Sequence, residues 1–397
     1  MSTQTHAGDK TALPAFPGMR EARCPFDPPP EYRDWREQDG LRRVDWHGTQ
    51  VWAASRFEDI RAVLSDPRIS TETMESGDRP TAFPKMDDPE HARLRRMLTK
   101  DFTVKRVQAM RPHIQEMVND ILDKMISKGQ PADLVTEYAL PVPSLVISLL
   151  LGVPYTDHEL FQRHSAVVVN VNASAEEKEA ASAALFLYLL ELVARKERER
   201  GDDLLSRLIA ERVTTGEISR ETAAMNGIVL LIAGHETTAN MISLSTLTLL
   251  RNPETLARIR DAEDPVVIAN AVEELLRYLT IVQDMIVRVA LEDLTIGGQL
   301  IRAGEQVVMN LSAGNRDAAF FTDPDRFDIA RNARGHLAFG YGVHQCLGQS
   351  LARVELEIAL PALLRRLPGL KPAVPIERLK FRNEMATYGL HELPVGW

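Results

Sequence analysis

Cysteine is nearly absent from this chain: its 397 residues contain only Cys24 and Cys346. Two thiols this far apart make no disulfide framework, so a reducing compartment is expected. Long apolar runs are missing too. The most apolar stretches, Leu145 to Val153 and Gly227 to Gly234, fall well short of the roughly 20 residues that a membrane-spanning helix needs. The opening MSTQTHAGDKTALPAFPGM lacks the basic-then-apolar order of a secretory signal, which points to the cytoplasm. There is no excess of positive charge, and a formal net charge of -9 argues against general binding to phosphate backbones. No repeat of roughly 20 to 50 residues marks a solenoid. At 44% hydrophobic and 26% charged residues, the composition is that of a globular protein.

The segment to about Asp34 is rich in proline, including Pro28, Pro29 and Pro30, and reads as an irregular arm wrapped on the body. RVDWHGTQVWAAS has β-branched and aromatic residues on either side of His47-Gly48, the pattern of a short hairpin. From Arg56 to Arg260, apolar residues recur three and four apart, punctuated by Pro112, Pro141, Pro143, Pro154 and Gly201, so this half is predicted to be nearly all helix. The longest helix is predicted from Ser219, a good N-cap, to about Arg251, where Asn252-Pro253 stops it. Its middle, IVLLIAG, is apolar nearly all round, as a buried helix must be. A further helix starts at Asp264-Pro265 and runs through AVEELLRYL. Short strands are expected at Leu294 to Ile301 and at Gln306 to Met309, followed by a proline-rich meander and a last helix after Cys346.

The sharpest signal is Phe339-Gly340-Tyr341-Gly342-Val343-His344-Gln345-Cys346-Leu347-Gly348, leading into QSLARVELEIAL. A cysteine just ahead of a helix meets the positive end of the helix dipole and free backbone N–H groups, which favour thiolate over thiol. A thiolate ligates iron. Gly340 and Gly342 are expected to turn the preceding backbone so that its N–H groups reach the sulfur. Gly348 would let the helix approach a flat ligand. Isolated cysteines are more often small buried hydrophobes. A dinucleotide fingerprint would need glycine where Gln345 stands, and His344 with Cys346 supplies only two of the four ligands of a structural zinc site.

In this loop, and in further motifs from Asp87 to the C-terminus, the chain resembles the cytochrome P-450 superfamily, whose bacterial members carry Phe-Gly-x-Gly-x-His-x-Cys-x-Gly. Every position matches. The resemblance implies one mainly α domain over residues 1–397 with a small β region, a triangular prism holding haem b between the long helix and the Cys346 helix. Cys346 would be the axial ligand of the haem iron. Ala233-Gly234-His235-Glu236-Thr237-Thr238 looks like the family's oxygen-activating motif. Mid-helix Gly234 costs about 1 kcal/mol relative to alanine and is expected to let dioxygen or the porphyrin approach the backbone beside Ala233. The hydroxyl of Thr237 can bond to the carbonyl one turn back, and Glu236 would relay protons to reduced dioxygen while the thiolate opposite pushes electron density toward the O–O bond.

Glu274 and Arg277 match the family's Glu-x-x-Arg pair, and Arg326 in Pro324-Asp325-Arg326-Phe327 is the meander arginine expected to complete it. The resemblance makes this group structural. His91 and Arg95, one helical turn apart in DDPEHARLRRMLTKDF, share a face and match contacts to the haem propionates. Arg288 and His344 match two more, Phe339, Gly340 and Gly348 would line the haem, and His336 is a further candidate at its edge. Substrate contacts implied by resemblance are the loop Thr71 to Phe83, the segment Val167 to Ala173, the helix residues Val229, Ile232 and Ala233, the strand Ile281 to Met285 and the turn Glu384 to Thr387, which includes Met385. Most are apolar or small, so an apolar molecule of medium or large size is expected, with Gln283, Asp284 or Glu384 as polar anchors.

The implied reaction inserts one atom of dioxygen into a C–H or C=C bond, in the manner of secondary-metabolism enzymes. No flavin, nicotinamide or iron–sulfur motif occurs in the chain, so a ferredoxin with its reductase is the expected electron donor, meeting Arg95, Arg96, Lys100 or Arg353. A monomer is expected. The rival readings are a haem-thiolate enzyme that bypasses the usual oxygen cycle, as a nitric-oxide-type reductase or a peroxide user, and a haem sensor or carrier without turnover.

Overall fold

The computed structural model describes residues 12–21, 24–72 and 82–397. Its helices are α1 (Glu31–Glu37), α2 (Phe57–Ser65), α3 (Glu90–Thr99), α4 (Val104–Lys128), α5 (Pro141–Leu151), α6 (His158–Val168), α7 (Ala175–Arg198), α8 (Leu204–Leu208), α9 (Arg220–Leu250), α10 (Pro253–Arg260), α11 (Pro265–Leu279), α12 (Leu311–Gly314) and α13 (Gln349–Arg366). The strands are β1 (Ala15–Phe16), β2 (Arg42–Trp46), β3 (Thr49–Ala54), β4 (Ile69–Ser70), β5 (Ala132–Asp133), β6 (Val287–Ala290), β7 (Leu294–Ile296), β8 (Gln299–Ile301), β9 (Gln306–Met309), β10 (Lys371–Pro372) and β11 (Pro394–Gly396). The largest sheet has the order β1-β2-β3-β9-β6-β4. β2 and β3 form the expected hairpin, with Trp46 opposite Thr49 and positive φ at both His47 and Gly48.

The Ser219 side chain caps α9 by accepting from the Thr222 N–H at 3.1 Å, satisfying one of the free donors at the helix start. The helix ends where Asn252-Pro253 begins α10. At 31 residues it spans about 46 Å. Leu231, Ile242 and Leu249 on one side of it and Leu244 and Leu247 on the other are fully buried, because α4, α5, α7, α11 and α13 share one core with it. Asp264 caps α11 by accepting from the Val266 N–H at 2.9 Å.

Three local expectations differ from the fold. Pro112 lies inside α4. A mid-helix proline costs roughly 3 kcal/mol, but burial of Val107, Ile114, Val118, Ile121, Leu122 and Met125, each worth about 1.5 to 3 kcal/mol, outweighs it. Leu294 to Ile301 is two strands, β7 and β8, because Gly297 and Gly298 both take positive φ and reverse the chain. The arm before Asp34 is only partly irregular: β1 runs parallel to β2, and Phe16 packs with Tyr32, Trp35, Val44 and Val51.

The Glu274–Arg277 pair is fully buried, with Arg277 Nε and Nη2 donating to the two carboxylate oxygens at 2.8 and 2.9 Å. Arg326 does not complete it. Its side chain is 67% exposed and pairs with Asp328, and only its carbonyl takes part, accepting from Arg277 at 3.4 Å. The second cation is Arg331. Its side chain turns inward, meets Glu274 at 3.3 Å and donates to the carbonyls of Thr322, Asp323 and Arg326. Arg277 also donates to the carbonyls of Asn315 and Pro324, both at 2.8 Å. The meander is therefore tied to α11 through its backbone, which sets the approach to the Cys346 loop.

Candidate haem-thiolate site

Backbone hydrogen bonds shape the loop before α13. The Cys346 N–H donates to the Phe339 carbonyl at 2.9 Å and the Gly340 N–H to Leu337 at 2.8 Å. Gly340 and Gly342 have φ of 70° and 73°, where a Cβ is strained. At Gly342 a Cβ would also stand 2.4 Å from the Leu64 carbonyl. The Gly348 and Gln349 amides, at the start of α13, act on the Cys346 thiol to favour its charged form. A Cβ on Gly348 would face only the Cys346 sulfur, at 4.0 Å. Burial pushes the Cys346 thiol up, while the Gly348 amide, Arg95, Arg353 and the Gln349 amide act against it. The Cys346 side chain is exposed.

Beside this loop, two imidazoles and two guanidiniums converge. His91 on α3 is 1% exposed. Its Nδ1 donates to the Asp88 carboxylate at 3.0 Å, and its Nε2 has no partner among the described residues. The His344 ring lies 4.0 Å from it, centroid to centroid, and His344 Nδ1 is likewise buried and unpartnered. Burial, then the neighbouring His91 and Arg288, pushes His344 down to about 4. Arg95, one turn along α3, donates to the Gln345 carbonyl at 2.5 Å. Arg288 in β6 donates to the carbonyl of its neighbour Val287 at 2.9 Å. Burial lowers both arginines, and neither forms an ion pair among the described residues. Buried polar groups are nearly always satisfied, and two imidazoles with two guanidiniums suit a ligand carrying two carboxylates. His336 Nδ1 accepts from the Ala338 N–H at 3.1 Å, and its buried Nε2 lies 3.4 Å from Glu273 without a hydrogen bond among the described residues. Glu273 also holds Arg353, whose guanidinium lies 4.6 Å above the Phe339 ring.

On α9, the Thr237 hydroxyl donates to the Ala233 carbonyl at 2.7 Å, one turn back. Ala233 is exposed although it sits mid-way along a buried helix. Gly234 has a different task from the one expected. A Cβ there would lie 2.7 Å from Ile147 of α5, so its missing side chain permits close helix packing, and Ala233 and Thr237 form the open face. Glu236 is buried and paired with Arg382 at 2.9 Å. His235 is fully buried, with Nδ1 donating to the Leu231 carbonyl at 2.7 Å, and the Phe161 ring meets it edge-on. Nothing in the sequence singled out Arg382, which lies in a loop-rich stretch without periodicity.

A family model described as cytochrome P450 matches residues 171–377. Cytochrome P450-SU2 of Streptomyces griseolus is 51% identical over 100% of both chains. The chain belongs to the cytochrome P450 family. The vitamin D3 dihydroxylase of Streptomyces griseolus is 46% identical over 98% of each chain. The crystal structure of CYP105P1 in complex with filipin I superposes with a TM-score of 0.92 at 43% identity, over 97% of this chain and 99% of that one. P450 proteins carry iron in haem, and this P450 is a monooxygenase that acts on a small molecule with electrons from redox partners. The Cys346 thiol, the buried His91 Nε2 and His344 Nδ1 without partners among the described residues, and the guanidiniums of Arg95 and Arg288 beside them fit that cofactor.

The expected substrate contacts fare unevenly in this P450. Val229 and Ile232 are half-buried on α9. Met385 is 3% exposed and packs with Val169, Ala386, Ala166, Val171 and Ile232. Asp284 is not free to anchor a ligand: Trp46 Nε1 donates to it at 2.6 Å and His47 holds its other oxygen at 2.5 Å. Gln283 is also engaged, donating to the Met385 carbonyl at 2.8 Å, and Glu384 pairs with His391 at 2.7 Å. The segment after α6 is joined to the turn at 384–386 by Val171 N–H to Glu384 O at 2.8 Å and Ala386 N–H to Val169 O at 2.9 Å. Of the loop from Thr71 to Phe83, residues 73–81 lie outside the described residues. No described helix is long and apolar enough to cross a membrane.

Proposed function

We propose that the chain is a single cytoplasmic haem-thiolate domain, monomeric, that binds haem b through Cys346 and hydroxylates or epoxidises an apolar molecule of medium or large size. The observation that carries this reading is the Cys346 side chain, exposed just ahead of the helix that begins at Gln349 and beside the buried His91 Nε2 and His344 Nδ1, which lack a partner among the described residues. Haem bound there supplies dioxygen binding and activation. The residues around it bind, orient and move protons. His91, Arg95, Arg288 and His344 would hold the two haem propionates by charge-assisted hydrogen bonds, and Phe339, Gly340 and Gly348 would line the haem beside Cys346. On the other side, Ala233 leaves room, Thr237 presents its hydroxyl and Glu236 passes protons inward.

With Asp284, Glu384 and the Gln283 amide engaged by protein groups, the described pocket wall offers mainly Val229, Ile232, Ala233 and their neighbours. That favours an uncharged, largely hydrocarbon substrate face. Since one relative is a vitamin D3 dihydroxylase, vitamin D3 is the first probe. Thr237→Ala in the holoenzyme is expected to leave vitamin D3 binding intact and to divert electrons into hydrogen peroxide, lowering product per electron by about tenfold or more, at the low end of what a positioned proton donor contributes. A carrier without turnover would show no such diversion, so equal peroxide yields in parent and variant would reject the monooxygenase role of Thr237.

A ferredoxin with its reductase supplies the electrons in this reading. Of the four cations expected to meet it, Lys100 is paired with Glu211, Arg353 with Glu273 and Arg95 with the Gln345 carbonyl. Arg96 is exposed and forms no ion pair among the described residues, which makes it the strongest point of attraction for an acidic donor. Arg96→Glu is expected to slow association by about tenfold at low salt, with the difference fading as ionic strength rises. Stopped-flow reduction measured over a salt series reads this, and identical rates at low salt would exclude Arg96 from the docking face.

A further inference from the structure

Arg382 stands at one end of a tight hairpin. Phe381 bridges to Leu390, and the Arg382 N–H donates to the Gly389 carbonyl at 2.9 Å. From there its guanidinium crosses to α9, where Nη1 is shared between Glu236 Oε2 at 2.9 Å and Asn240 Oδ1 at 3.2 Å. Glu236 and Asn240 are four apart and so lie on one helix face. Asn240 in turn donates to the Thr387 hydroxyl at 3.2 Å. The returning backbone lies hard against it, since a Cβ on Gly389 would stand 1.9 Å from Asn240 Oδ1. The same hairpin carries Glu384 and Ala386, whose backbones pair with the segment after α6, and Met385, which packs on Ile232.

Arg382 is the only described side chain that holds the Glu236 carboxylate, and it holds one oxygen. Oε1 is left to take a proton from the solvent side and release it inward, so that Glu236 returns to its starting state after each transfer. We propose that Arg382 is the positioning residue for proton delivery by Glu236, and that it couples this delivery to the seating of the hairpin that borders the substrate pocket. A buried carboxylate facing no cation would be expensive to keep charged and free to rotate. Held by Arg382, it stays in one orientation only while the hairpin lies against α9. The inference rests on the proton-relay role proposed for Glu236.

The test uses holoenzyme with ferredoxin and reductase, with and without vitamin D3, and reads the fraction of consumed dioxygen released as hydrogen peroxide. Arg382→Met is expected to raise peroxide release by about fivefold or more, whereas Arg382→Lys, which keeps the charge, should return to within about twofold of the parent. In a Glu236→Gln background, Arg382→Met should add nothing. A reading that needs no turnover accompanies these: amide hydrogen exchange at 384–388 should quicken by about tenfold in Arg382→Met, as loss of a bond to a charged group implies, and recover in Arg382→Lys. If the methionine variant does not accumulate, Arg382→Gln, which is polar but shorter and uncharged, carries the same expectation. Unchanged peroxide release in Arg382→Met and Arg382→Gln, or an equal rise in the Glu236→Gln background, overturns the role of Arg382. A fully coupled Glu236→Gln enzyme would instead overturn the relay role on which it rests.

Discussion

Cys346→His is expected to retain haem but to exchange a thiolate-type ferrous carbonyl spectrum for that of a histidine-bound iron, and to lose monooxygenase turnover by about 10³-fold, some 4 kcal/mol of barrier. The reason is local. The Gly348 and Gln349 amides and the charges of Arg95 and Arg353 all favour an anion at this position, and a neutral imidazole takes up none of that stabilisation or its electron push. Cys24 cannot substitute. Its thiol donates to the Asp27 carboxylate at 2.8 Å, and burial together with that carboxylate pushes its pKa up, which keeps it a thiol. A variant that still gave a thiolate-type carbonyl spectrum would remove Cys346 from the iron.

The second large effect concerns stability. Glu274→Ala leaves Arg277 fully buried without its carboxylate, and breaking a buried pair from one side costs about 3 to 5 kcal/mol. Arg331→Ala should follow at about 2 to 3 kcal/mol, in line with the loss of hydrogen bonds made by a charged group. Arg326→Ala, whose side chain is 67% exposed, should stay within about 0.5 kcal/mol of the parent. Denaturant unfolding of the three variants separates the cases. If Arg326→Ala proved as damaging as Arg331→Ala, the arrangement around Glu274 described here would be wrong.

That contrast shows where sequence reasoning stops. Arg326 and Arg331 lie five residues apart in one irregular segment, and with no periodicity there is no rule for which side chain turns inward. Helices carry such a rule. The ends of α9 were legible from Ser219 and Asn252-Pro253, the start of α11 from Asp264-Pro265, and the shared face of His91 and Arg95 from their spacing. Even on a helix the meaning of a face depends on its neighbour: Gly234 was legible as an unusual residue, but only Ile147 of α5 accounts for it. Asp284 read as a free anchor because Trp46 and His47, which hold it, lie more than two hundred residues away in sequence.

The order of residues alone determined the family, the mainly helical architecture and the cysteine at its centre, because glycines at the turns, caps at the helix ends and a cysteine ahead of α13 act on their immediate neighbours. Tertiary structure alone decided that Arg331 completes the Glu274 pair, that Asp284 and Glu384 are engaged by protein groups, and that Glu236 faces Arg382. Each of these is a contact between segments distant in the chain, and a buried charge takes whichever partner the packing brings to it.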